Sequence, residues 1–351
     1  MATTSPQSTS RFDRLKALWE SFVAKRWLMP VLLVVGLALS FLIPQFNLVD
    51  SYVQLIIMYV GINIILTISL NLINGYMGEF SVGHAGFMAV GAYIGALLTT
   101  RVFPPDLAFW LFPVTVLLAG AGAALVGLVV AVPSFKTRGD YLAIVTIAFL
   151  MIVKSVIENI EVIGGPRGIP GIYRFTTLPW TFLWTVFSIW MIRNFIYSNF
   201  GRGVMSIRED EIASDLMSVN TRQAKMLAFV ISSFFAGVAG ALFAHLLQFI
   251  SPRVFDIVKS TDILIMVYLG GIGSIAGSIV GATVFTVLLE VLRPLQVWRF
   301  VLMPLVLVFL MIYQPRGIMG LKEFRWFVPF RDLQALRHWR EKKEAPDAAA
   351  S

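Results

Sequence analysis

The chain has 351 residues, 58% of them hydrophobic and 14% charged, with a mean hydropathy of +0.80. A soluble domain devotes about a quarter of its residues to charge, so this composition excludes one and describes a polytopic membrane protein. The net charge of +8 reads as loop charge that orients spans rather than as a nucleic-acid footprint, and a chain without cysteine has neither disulfides nor thiolate metal sites.

Counting about 20 apolar residues per crossing, spans are predicted at 28–46, 51–74, 81–99, 106–132, 140–159, 178–198, 223–249, 258–270, 275–292 and 297–314, the eighth being short. The first follows a polar leader ending in Lys25 and Arg26, as a signal peptide would. It runs on to Phe46 without a small-x-small cleavage site, so it is read as an uncleaved span. The predicted fold is an all-α integral membrane protein, a helical bundle of about 8–10 transmembrane helices. Three regions follow: an N-terminal segment (1–27), a membrane domain (28–320) and a C-terminal tail (321–351). Loops rich in Lys and Arg stay in the cytoplasm. With the N-terminus inside, that side collects Lys25, Arg26, Lys136, Arg138, Arg202, Arg208, Arg222, Lys225 and the tail. Fewer remain outside, among them Arg101, Lys154, Arg167, Arg253, Lys259 and Arg293, so both termini are predicted cytoplasmic. The basic part of the tail is placed against anionic lipid headgroups.

Three regions break the apolar pattern within the membrane domain. Gly75 to Ala96, entered through Asn71 and Asn74, is glycine-rich and carries Glu79, Ser81 and His84. It is either a helix packed through small residues or a broken helix lining a passage, where irregular backbone is tolerated at membrane depth. Ile160 to Tyr173 holds four glycines and two prolines, which force a compact loop on the outer side. That loop is a connector or an ordered element at the mouth. Leu269 to Ala282 places Gly273, Gly277 and Gly281 at steps of four on one helix face, a packing pattern. Gly270 and Gly271 there split a long apolar run into an antiparallel pair.

One segment stands apart. Asn199 to Lys225 lies between spans, yet carries Arg202, Arg208, Glu209, Asp210, Glu211, Asp215, Arg222 and Lys225, so it sits in water. Val204, Ile207, Ile212, Leu216 and Val219 recur at steps of three to five, which predicts a short amphipathic helix. An apolar stripe outside the membrane needs a partner surface.

No catalytic constellation is present. The three histidines, His84, His245 and His338, are scattered, and neither a metal spacing, a nucleophile elbow nor a phosphate-loop lysine occurs. Glu290 is the best candidate for an ion-coupling carboxylate, but Arg293 three residues on offers it an interfacial partner. A passage lined by apolar, small and hydroxyl groups must draw its energy from elsewhere.

Six stretches in one order carry a family resemblance: GYMGEFSVGHAGFMAVGAY (Gly75 to Tyr93), KTRGDYLAIVTIAF (Lys136 to Phe149), GGPRGI (Gly164 to Ile169), GRGVMSIREDEIASDLMSVN (Gly201 to Asn220), AKMLAFVISSFFAGVAGAL (Ala224 to Leu242) and ILIMVYLGGIGSIAGSIVGA (Ile263 to Ala282). From about residue 50 to 320 the chain resembles the permease subunits of branched-chain amino-acid ABC importers, the LivM type. The resemblance implies an inner-membrane permease that pairs with a second, related permease. It also implies two cytoplasmic P-loop ATPases below, which bind the ATP, and a periplasmic substrate-binding protein above. The permease itself would hold no cofactor, metal or nucleic acid and would not be an enzyme. The segment 199–225 is then the coupling segment, with Arg208, Glu209, Asp210 and Ala213 as the ATPase contacts it implies. Ser218 and Val219 stand where the family often has glycine and isoleucine, so the coupling helix is expected to run on or to be capped differently.

For a solute such as leucine, isoleucine or valine, Asn71, Asn74, Ser81, His84, Tyr141 and Thr146 are the candidate polar groups along the path. Gly164, Gly165, Gly168 and Ile169 are the candidate outer gate or binding-protein dock. Urea, amides or other amino acids on the same scaffold, an ion-coupled carrier using Glu290, and an intramembrane enzyme are the alternatives.

Overall fold

The structure, a computed structural model, describes residues 28–46, 48–104, 107, 109–135, 141–298, 301, 305, 308–309, 312–313, 317–320 and 323–324. The N-terminal segment 1–27, the tail beyond 324, Lys136 to Asp140 of the second motif and most of the predicted tenth span lie outside the described residues. The chain divides into two units, 1–50 and 51–351. In the first, helix α1 (Leu28–Gln45) is apolar except for Ser40 and Gln45 and has Pro44 in its last turn.

The second unit is a helical bundle. Its helices are α2 (Ser51–Asn71), α3 (His84–Leu97), α4 (Phe112–Ser134), α5 (Tyr141–Asn159), α6 (Leu178–Ile196), α7 (Asn199–Glu209), α8 (Glu211–Leu216), α9 (Thr221–Leu247), α10 (Ile257–Gly270) and α11 (Ile275–Val291). Each of the first nine predicted spans is therefore a helix, with its ends moved by a few residues. Ser51–Met77, His84–Val102, Phe112–Ser134, Tyr141–Asn159 and Thr221–Leu247 are long and apolar enough to cross a membrane. The predicted eighth span is α10, whose 14 residues rise only about 21 Å, less than a hydrocarbon core of about 30 Å.

Helix α9 is the centre, and small residues put it there. It packs on α4, α3 and α2, and Gly237, Gly240 and Ala241 give α3 a flat surface to approach. Gly91 lies on Gly237, Gly95 on Ala241 and Met88 on Gly240. Thr99 Oγ1 meets His245 Nε2 at 2.9 Å farther along, so α3 and α9 run parallel. Helix α2 runs the opposite way, because Tyr59 stacks edge-on with Phe243 while Ser69 O accepts from Ser232 Oγ at 2.5 Å. At about 40 Å, the 27 residues of α9 separate two ends of the unit. The coupling segment lies at one end, and the glycine-proline loop at the other.

Helices α10 and α11 form the antiparallel pair expected from Gly270 and Gly271. Gly270 abuts Gly277, and Gly281 abuts Met266 O, so Gly277 and Gly281 are packing residues, whereas Gly273, expected on the same helix face, lies in the loop before α11 with φ 75°. At the far end, β1 (Ile169–Pro170) pairs antiparallel with β2 (Phe249–Ile250), tying the loop after α5 to the end of α9.

Candidate functional site

At the coupling end, α2 does not stop cleanly. It passes into a π-helical turn, Leu72–Met77, closed by Gly78 in the left-handed region (φ 78°), and irregular chain then leads to α3. His84 Nε2 contacts Ser69 Oγ at 2.8 Å, so α3 begins level with residue 69 and not below residue 77. The stretch 72–83 is thus a bend: a π-turn closed by Glu79 N on Ile73 O (3.2 Å), and then a segment that side chains hold. Asn74 Oδ1 accepts from Ser81 N (3.2 Å), Thr146 Oγ1 from Val82 N (3.2 Å) and Ser260 Oγ from Ala85 N (3.0 Å).

The polar groups proposed for a path separate into distinct places. Asn71 is fully buried, and its amide donates to Ser274 O (2.9 Å) and Ser278 Oγ (2.7 Å) while its oxygen accepts from Gly273 N (2.9 Å). It clamps α2 to the loop between α10 and α11. Asn74, Ser81, His84 and Thr146 gather at the bend, where Ser81 Oγ and His84 Nδ1 are buried without a hydrogen-bond partner among the described residues. Tyr141 is 58% exposed at the first residue of α5 and does not join them.

The coupling segment is two helices, not one. Asp210 is extended (φ −161°, ψ 113°) between α7 and α8, and its carboxylate accepts from Ala213 N at 3.0 Å to cap the second. The break divides the single stripe read from the sequence. Val204 and Ile207 on α7 are buried, whereas Ile212 is 72% and Leu216 82% exposed on α8, and Met217 beside them is 80% exposed. A groove of about 500 Å³ between α7 and the start of α9, lined in part by Phe200, Arg202, Val219 and Gln223, opens on the same segment. The exposed Met217 was missed in the sequence; its spacing of five from Ile212 was the available signal.

Of the two outcomes expected at Ser218, a helix that runs on or one closed without the family's glycine, the structure has the second. Helix α8 ends at Leu216, and Val219 N donates to Ser214 O (3.2 Å) around Ser218, which takes the left-handed conformation (φ 64°) that glycine takes without cost. Ser218→Gly is expected to stabilise this turn by up to about 1 kcal/mol, the strain of a side chain in that region. Slower amide exchange at Met217 to Val219 would register it.

Arg208 turns inward. Its Nη1 donates to Gly75 O in the π-turn (3.1 Å), its stem covers Gly78, and Glu209 pairs with it at 2.7 Å. The second link is ionic. Lys225, near the start of α9, is only 7% exposed and bridges Glu79 of the bend (2.6 Å) and Glu211 of α8 (2.9 Å). Glu323 adds a third tie: it accepts from Tyr76 OH (3.0 Å) and from Ile275 N (2.6 Å) at the start of α11.

At the opposite end, Gly164, Gly165 and Gly168 all have positive φ (89°, 49° and 79°) in two successive 3₁₀ turns. A Cβ on Gly168 would lie 2.0 Å from Ile250 O, so the loop is an ordered element pressed on β2. Ile169 pairs with Ile250 there. Glu290 is in an exposed group with Arg293 (3.0 Å) and Tyr52, the interfacial pairing weighed against an ion-coupling role. Among the described residues no cluster of three or more His, Cys, Asp or Glu could hold a metal.

A sequence model of the family described as "Branched-chain amino acid transport system / permease component" matches residues 52–313. The chain is 32% identical over 341 residues to the high-affinity branched-chain amino acid transport system permease protein LivM of Escherichia coli K12, covering 87% of this chain and 77% of that one. It is 24% identical to a probable LivM of Methanocaldococcus jannaschii, across 76% of this chain and 92% of the relative. Over 130 residues, 36% of this chain and 42% of the relative, it is 29% identical to the LivH permease of Escherichia coli K12. No solved structure matches the chain.

Proposed function

The chain belongs to the family of branched-chain amino acid transport permeases, and from that premise we propose that it is one permease subunit of an ATP-driven importer in a bacterial inner membrane. Its substrates are leucine, isoleucine and valine, and it works beside a second, homologous permease. Two cytoplasmic P-loop ATPases dock on α7 and α8 and bind the ATP, and a periplasmic binding protein delivers solute to the outer loops. Both termini are cytoplasmic in this reading.

The observation that carries the proposal is the exposed apolar face of α8, Ile212, Leu216 and Met217, on a segment too charged to lie in the bilayer. Such a patch is a docking surface in water. ATP-driven closure of the ATPases displaces α8, and the displacement turns the passage from one side to the other. Reversing a 1:99 bias takes roughly 5.5 kcal/mol, which a firmly docked helix can transmit. The polar group at the bend, Asn74, Ser81, His84 and Thr146, meets the charged ends of the solute, and the loop with Gly164, Gly165, Gly168 and Ile169 receives the binding protein. Urea or an amide on the same scaffold is the second reading.

Extraction of the chain from its native membrane in mild detergent, with mass spectrometry of what stays bound, tests this. A second permease and P-loop ATPases are the expected companions. Recovery of the chain alone, from membranes that still accumulate solute when ATP is depleted, would overturn the proposal.

A further inference from the structure

Lys225 occupies a place that the docking surface by itself does not explain. The coupling segment must act on the membrane helices through some connection, and α8 is only six residues long. Its polar ties to α7 and to the start of α9 are Ser214 Oγ to Ser206 Oγ (3.1 Å) and Asp215 to Thr221 (2.7 Å), both within the coupling segment. Among the described residues, only through Glu211 does α8 reach a side chain that in turn holds the bend: Lys225 takes Glu211 on one side and Glu79 on the other.

The burial is graded along this chain of charges. The Lys225 side chain is 8% exposed, Glu79 21% and Glu211 48%. A nearly buried ammonium is costly unless both its charge and its protons are satisfied, so Lys225 follows its carboxylates when they move. Glu79 sits on the non-helical stretch between the π-turn and α3, where one backbone bond, Glu79 N to Ile73 O (3.2 Å), and side-chain bonds at Ser81 and Val82 hold the chain in place of a helical ladder. That stretch is the part of α2–α3 that yields to a pull.

We propose that Lys225 is a transmission residue, a positioning group that carries displacement of α8 to the bend between α2 and α3 by exchanging its weight between Glu211 and Glu79. The inference rests on the importer reading and names how its docking event reaches the passage. Arg208 is a fixed hinge beside it, because its partner in the bend is a backbone carbonyl, Gly75 O, and its charge partner, Glu209, is its own neighbour on α7.

The test uses the whole transporter in proteoliposomes, with uptake and ATP hydrolysis measured together. Lys225→Met and, at the more exposed site, Glu211→Gln are expected to leave ATPase docking and hydrolysis in place while solute moved per ATP falls about tenfold, the scale of a typical coupling between two sites. Lys225→Arg keeps the ratio near that of the parent, and Glu211→Gln added to Lys225→Met lowers it no further. If the variants transport with an unchanged ratio, or lose uptake only in step with lost assembly, the transmission role is wrong while the importer stands. If the parent itself accumulates solute without hydrolysing ATP, both fall together.

Discussion

Replacing Ile212 and Leu216 together by aspartate is expected to abolish ATP-driven uptake and to release the ATPases from the chain, while the chain itself stays folded. Both side chains are mostly exposed, so changing them costs the isolated chain little. In the proposed importer the ATPases cover them. Burying an aliphatic side chain is worth about 1.5–3 kcal/mol, so losing two removes at least about 3 kcal/mol, and seating two carboxylates in an apolar dock costs more. A loss of about 3 kcal/mol is already more than a hundredfold in affinity. The control is Val204→Asp on α7, nearly two turns before the break, where the side chain is 1% exposed. That variant should lose the fold as well as the dock. Co-purification of the ATPases, read beside the thermal stability of the permease, separates the two cases. Retention of the ATPases by the Ile212→Asp/Leu216→Asp chain would remove α8 as the dock.

The sequence made the helices legible because each span is a long apolar run, and runs of that kind have few folded alternatives in a bilayer. The antiparallel pair around Gly270 and Gly271 was readable for the same reason, since a glycine pair interrupts an otherwise continuous run. Long-range partners were not readable. Asn71 looked like a polar group on a path, and nothing in its neighbours in sequence says that Ser274 and Ser278 would take both its amide hydrogens while Gly273 N bonds its oxygen. Arg208 looked like a surface charge because its partner, Gly75 O, is 133 residues away. The stripe from Val204 to Val219 has one helical period, yet Asp210 prefers to cap and so breaks it in two. Ser218 shows the converse: hydrogen bonding around the end of α8 holds the turn even without glycine.

Gly91→Ala is expected to destabilise the protein by about 1–3 kcal/mol or more, although alanine is the better helix former by about 1 kcal/mol. A Cβ at Gly91 would lie 2.2 Å from Gly237 O and 2.3 Å from Gly237 Cα, and backbone cannot step aside as a side-chain tip can. Helix α3 would have to lift off α9 along the contact that also includes Gly95 and Gly240. Because α3 starts at His84, beside the bend, that separation also shifts the group formed by Asn74, Ser81 and Thr146, so uptake falls with stability. Gly122 supplies the contrast on α4, since a Cβ there meets the end of the Ile94 side chain and nothing else closer than 3.7 Å. Gly122→Ala should therefore be neutral or stabilising, the sign that helix propensity alone gives. Thermal unfolding of the two variants in detergent decides the matter: equal shifts would mean that propensity governs both sites, and opposite shifts that the α3–α9 crossing is set by the glycine contact.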